Sequence, residues 1–158
     1  MSKFSLIAMG GTFDIIHHGH ITLLSTAFDI SEKVIIGLTS DEFVQKKGKN
    51  PIHKYDERLK NLTSIIFKKF PNSYFEISQL NNDFGPAVFE KEVQALVVSD
   101  ETKTQGNLLN KLRSERNLSP VEIIVVPMTL AKDGKRISTT RIKNSEIDSD
   151  GNLLPIDK

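Results

Sequence analysis

The chain has 158 residues, with 21 Lys and Arg against 20 Asp and Glu for a formal charge of +1. That length suits one domain, and the charge balance offers no global field to gather nucleic acid or anionic lipid. Hydrophobic residues at 38% and charged residues at 26% fit a soluble globular protein and exclude disorder over the whole length, and the absence of cysteine excludes disulfides, thiolate metal sites and cysteine nucleophiles.

Residues 4–9 are a short apolar run stopped by Gly10 and Gly11, the pattern of a buried strand. Ile21, Leu23, Leu24, Ala27 and Phe28 then recur at helical spacing, and residues 34–38 form a second apolar strand. A polar loop follows. The spacing of Tyr55, Leu59, Leu62, Ile66 and Phe70 predicts a helix over 54–70, acidic near its start, basic near its end and closed by Pro71. Strands are expected at 74–77, 95–99 and 121–126, and a short helix at 86–92. Thr102 and Gln105 resemble a capping box ahead of a helix whose apolar face is Leu108, Leu109 and Leu112. A last short helix is expected from residues 138–140, and a polar tail over 144–158.

Val- and Ile-rich strands separated by helices imply an α/β fold: about five parallel strands in a doubly wound, three-layer Rossmann-like sheet. Without a linker or repeat, residues 1–158 are expected to be one domain. No apolar run approaches the ~20 residues of a membrane span. Met1–Ser5 holds no signal core, which sets the expectation of a cytoplasmic protein. Ligands of such sheets bind beyond the carboxyl ends of the strands, so functional residues should follow Met9, Leu38, Ser99 and Val126.

Four segments meet that expectation. After the first strand comes Gly10-Gly11-Thr12-Phe13-Asp14-Ile15-Ile16-His17-His18-Gly19-His20. Glycines there allow close backbone approach, and imidazoles beside a helix start can donate to phosphoryl oxygens. It is neither the Walker nor the dinucleotide pattern. A zinc site would need further ligands, and His53 is the remaining histidine, with no carboxylate placed by sequence to complete it. Lys46, Lys47 and Lys49 around Gly48 form a basic patch after the second strand. Asp100, Glu101 and Thr102 follow the fourth strand, where helix capping alone would account for Thr102. Residues 132–143 place Ser138, Thr139 and Thr140 at a helix start among five cations, as a polyphosphate site would.

With those residues in view, the chain resembles the nucleotidyltransferase superfamily of adenylyl- and cytidylyltransferases. Gly10–Asp14 with His17-His18-Gly19-His20 matches its G-x-F-D…H-x-G-H signature, and residues 137–143 match its I-S-S-T-x-I-R signature, with Thr139 for serine and Lys143 for arginine. Within it, Gly37–Asp41, the 98–102 segment and the tail are most similar to the archaeal and eukaryotic type of phosphopantetheine adenylyltransferase.

The resemblance implies transfer of the adenylyl group of ATP to 4'-phosphopantetheine, by in-line attack without a covalent intermediate. It makes His17, His20 and Lys46 catalytic. It gives ATP the contacts Gly11, Thr12, Phe13, His17, His20, Glu101, Ser138, Thr139, Thr140 and Arg141, and the acceptor phosphate Thr12, Lys46, Lys47 and Lys49. Mg²⁺ is then expected on substrate oxygens rather than in a protein cage. The partners implied are small molecules, with neither nucleic acid nor membrane, and the likeness is to monomers or small oligomers. Two other readings stay open: transfer to glycerol phosphate or FMN, and a catalytically silent nucleotide-binding module. A tRNA synthetase fragment, whose signature loop residues 135–139 imitate, is disfavoured by the length of the chain.

Overall fold

A computed structural model of the chain describes residues 3–82, 84–88, 90–99 and 103–127. The elements run β1 (Phe4–Gly11), α1 (His18–Ile30), β2 (Ser31–Thr39), α2 (Asp41–Lys46), α3 (Tyr55–Lys69), β3 (Tyr74–Leu80), a 3-10 turn (Gly85–Val88), β4 (Ala95–Ser99), α4 (Lys103–Glu115) and β5 (Glu122–Val126). The strands form one parallel sheet in the order β3-β2-β1-β4-β5. The chain therefore builds outward from β1 to β3, then crosses back to lay β4 on the other side of β1. The carboxyl ends of β1 and β4 flank the point where strand order reverses.

Successive residues of a strand face opposite sides of the sheet, and the two cores follow that alternation. Ile7 and Met9 of β1, Val34, Ile36 and Leu38 of β2, and Ala95 and Val97 of β4 pack with Leu24 and Ala27 of α1 and Leu62 and Ile66 of α3. Ala8, Ile35, Leu96 and Val98 face the other way, against Leu109 of α4 and Ala87 and Val88 of the 3-10 turn. This is the expected doubly wound sheet. No helix among the described residues is long and apolar enough to cross a membrane.

Two local expectations are corrected. The stretch after Thr39, expected as a polar loop, begins with the helix α2. Ser40 caps it by accepting from the Phe43 N–H at 3.1 Å, acids start it, Lys46 ends it, and buried Val44 anchors it. Six residues are too short to display a helical period. The helix expected over 86–92 is only the 3-10 turn, because tertiary partners take its groups. Arg113 donates to the Ala87 and Glu90 carbonyls, and the Gln94 N–H reaches back to Leu6 O of β1. The helix expected from residues 138–140 and the 144–158 tail lie outside the described residues.

Candidate active site

The histidine motif is a helix start in which two imidazoles replace the usual capping side chains. His17, the N-cap of α1, accepts the Gly19 N–H on Nδ1 at 3.1 Å, while His20 Nδ1 accepts the His17 N–H at 3.2 Å. Each ring thus uses Nδ1 as an acceptor, so in the neutral form its proton sits on Nε2, as a donor directed away from those backbone groups. The glycine of the motif is steric. A Cβ at Gly19 would lie 2.9 Å from Cε1 of His17, so a larger residue would push the capping ring off its N–H.

The rings stack with centroids 3.9 Å apart, and Phe13 packs against His20 at 4.9 Å. Phe13 is 1% exposed and holds φ at +50°, a backbone conformation rare for a bulky residue. Its ring therefore faces the interior and shapes the loop. Burial, reinforced by the neighbouring His17, pushes the pKa of His20 down to about 3. His20 is a neutral donor across the physiological range.

That shift has a consequence for stability. A histidine whose folded pKa lies below its unfolded value near 6.5 binds a proton less readily when folded. Its contribution is complete above the unfolded pKa and is lost as pH falls from about 6.5 toward about 3. Melting temperatures taken from about pH 7 down to about pH 4 should fall more steeply for the wild type than for His20→Ala. Equal slopes would contradict a neutral His20 ring.

Beside this helix start lies a cavity of about 210 Å³ over the second face of the sheet. Gly10, Gly11 and Thr12 at the end of β1, with Gly37 and Thr39 of β2, form one side, and Leu96–Val98 form another. Phe43 of α2, Phe84 and Ala87 close over them, and Lys47 and Lys49 stand among the lining residues. A side chain at Gly37 would have to displace Leu80, since its Cβ would lie 2.6 Å from Leu80 Cδ1. His17 and His20 are not among the lining residues. Thr12 belongs both to the cavity wall and to the loop that leads to the histidines, and the Thr39 hydroxyl donates to its Oγ1 at 3.2 Å.

The basic patch divides. Lys47 and Lys49 line the cavity, whereas Lys46 is exposed at the end of α2 and is not part of the lining. The Lys47 ammonium sits 4.6 Å from the Phe43 ring centroid. Glu101, Ser138, Thr139, Thr140 and Arg141 lie outside the described residues.

Sequence reasoning missed the groups that hold these loops. Buried Asp14 accepts the N–H groups of Ile52 and His53 at 2.9 and 3.0 Å, tying the end of the lysine loop to the histidine motif. His53 Nδ1 stands 3.0 Å from Asp14 O, a contact that requires the proton on Nδ1. Asp41 accepts from the Tyr55 N–H and pairs with Arg58 at 2.9 Å. Burial raises its pKa, but the Arg58 hydrogen bond, the Tyr55 N–H and the charges of Arg58 and Lys54 outweigh it, so the net shift is downward. One signal was available: Arg58 falls on the apolar stripe of α3 between Tyr55 and Leu62, where a cation needs a reason.

A parallel sheet whose order reverses beside a histidine-capped helix is an α/β, Rossmann-like fold. The family model described as cytidylyltransferase-like matches residues 8–145. Phosphopantetheine adenylyltransferase of Pyrococcus abyssi is 41% identical, covering 98% of each chain. That of Methanothermobacter thermautotrophicus is 40% identical, covering 96% of this chain and 91% of its own. A crystal structure of an Archaeoglobus fulgidus protein of unknown function superposes with a TM-score of 0.70 at 27% identity, covering 78% of this chain and 89% of its own. The chain belongs to the phosphopantetheine adenylyltransferase family of cytidylyltransferase-like proteins.

Proposed function

We propose that the protein transfers the adenylyl group of ATP to 4'-phosphopantetheine, forming dephospho-coenzyme A and pyrophosphate. The observation that carries this reading is the pair of compartments meeting at Thr12. On one side a helix start presents two imidazoles whose Nδ1 atoms are engaged by backbone, His20 among them as a neutral Nε2–H donor, suited to phosphoryl oxygens. On the other an apolar cavity with lysines in its lining suits a phosphate carried on a long neutral arm.

In this reading ATP lies against His17, His20 and Gly11. Glu101, Ser138, Thr139, Thr140 and Arg141 complete its contacts. The acceptor phosphate is held by Thr12 and by Lys46, Lys47 and Lys49, of which Lys47 and Lys49 line the cavity. An acceptor oxygen attacks the α-phosphorus in line, forming a new P–O bond as the bond to the pyrophosphate oxygen breaks. Pyrophosphate leaves with that electron pair. No protein nucleophile is needed, so the work is alignment and stabilisation of charge on the α-phosphoryl oxygens. Mg²⁺, when bound, would be held mainly by the phosphate oxygens of ATP and would neutralise part of their charge. The reaction runs in the cytoplasm, on free small molecules.

Pyrophosphate release decides the acceptor. ATP with 4'-phosphopantetheine should turn over, while CTP with glycerol 3-phosphate and ATP with FMN should not. Turnover confined to either of the latter pairs overturns the choice, and turnover with none supports a silent nucleotide-binding module.

A further inference from the structure

We infer that Arg58 is the positioning residue of this site: its guanidinium sets where Thr12 and the lysine loop stand relative to each other. The side chain is 0% exposed and lies on the inner stripe of α3. Nη1 donates to Thr12 O and to Thr39 O, each at 2.9 Å. Nε donates to His53 O at 3.1 Å, and Nη2 to Asp41 Oδ1 at 2.9 Å. These acceptors belong to four places along the chain: the loop after β1, the end of β2, the first residue of α2, and the segment that enters α3.

Thr12 and Thr39 line the cavity, and Lys47 and Lys49 lie on the segment that runs from α2 to His53. One planar fork therefore joins the wall of the cavity to the start of α2 and to the far end of the loop that carries its lysines. A lysine cannot substitute, because a single ammonium cannot reach carbonyls spread along two sides of a guanidinium. Burying a charge is costly, and removing the Arg58 donors would strand buried acceptors, so stability and positioning are told apart by the KM values. What the fork supplies is a fixed distance between loops, in a reaction where a displacement of about 1 Å can cost about 100-fold in rate.

The inference rests on the proposed reaction, and its test separates the two. Steady-state constants are measured for wild type, Arg58→Lys and Asp41→Ala with ATP, Mg²⁺ and 4'-phosphopantetheine, with folding followed by circular dichroism. In folded Arg58→Lys, kcat should fall about 10- to 100-fold and the acceptor KM should rise about 10-fold, with the ATP KM within about 3-fold of wild type. A loss of folded protein alone would lower the apparent kcat and leave both KM values unchanged, and that result overturns the inference. If Arg58→Lys does not fold, Asp41→Ala, which deletes the acceptor of Nη2, decides: a raised acceptor KM supports the fork, and an unchanged one refutes it. If wild type is inactive on this pair, the reaction reading fails by itself. Arg58 is then decided by methyl NMR, where Arg58→Lys should shift or broaden Thr12 and Thr39 while leaving Val121 unmoved. Thr12 and Thr39 signals identical to wild type would rule the positioning role out.

Discussion

Replacing His20 with alanine should lower kcat by about 100- to 1,000-fold while leaving the fold in place, the range found when one oxyanion-type donor is removed. The reason lies in the capping geometry. Nδ1 of His20 is committed to the His17 N–H, so Nε2–H is the group left to face a ligand. In the proposed reaction, the neutral ring's hydrogen bond would strengthen as negative charge grows on the α-phosphoryl oxygens and would hold ground-state ATP less tightly than the transition state. The ATP KM should therefore change little. The substitution also removes the acceptor for one helix-start N–H. That costs about 1 kcal/mol of stability, far too little to unfold the protein and visible as a modest drop in melting temperature. Weaker ATP binding with kcat preserved would assign His20 to the ground state and remove its role in turnover.

The largest stability effect should come from Arg113→Leu. This guanidinium is 1% exposed and donates to four backbone carbonyls: Ala87 at 2.6 Å, Ser119 at 2.8 Å, Glu90 at 2.9 Å and Val93 at 3.4 Å. Burial lowers its pKa, yet arginine stays charged at any working pH. Leucine would fill part of the space and leave the buried Ala87 and Val93 carbonyls without their donor, while those of the exposed Glu90 and Ser119 can turn to water. Each such group carries a penalty of about 1–3 kcal/mol, and local relaxation recovers part of the sum. A net loss of about 3–5 kcal/mol is expected, comparable to breaking a buried ion pair. For an unfolding slope of about 1.5–2 kcal/mol/M, the urea midpoint should fall by about 2 M. A loss below about 1 kcal/mol would mean that the segment around Ala87–Val93 finds other donors. Since Phe84 and Ala87 close the cavity, the variant should also bind the acceptor more weakly than ATP.

Much of the fold is legible in the sequence because its elements are long and strongly patterned. The apolar run Val34–Leu38 marks β2, and the stripe Tyr55, Leu59, Leu62 and Ile66 yields α3 almost to the residue. The strand expected at 74–77 runs further. β3 continues to Leu80, because Ser78, Gln79 and Leu80 pair with Gly37, Leu38 and Thr39 of β2. Such pairing belongs to the partner strand and leaves no mark in a polar Ser-Gln dipeptide. The short α2 is hidden for the same kind of reason, since its Ser40 cap is common to turns and helices alike.

The site divides along similar lines. The two histidines, the glycine between them and Thr12 are local features, and their spacing alone points to a phosphate-binding helix start. The lysines are legible as a patch, but which of them turn toward the cavity depends on how α2 ends.

By itself the sequence determined the sheet, the alternation of helices and the histidine-capped turn, because those follow from periodicity, capping and sterics acting within a few residues. Only the tertiary structure decided that Arg58 and Arg113 are the braces of the cavity. Their partners are mostly backbone carbonyls, which every residue carries, so no side-chain pattern announces them. Those interactions exist only once distant segments have been brought within 2.6 to 3.4 Å of a guanidinium.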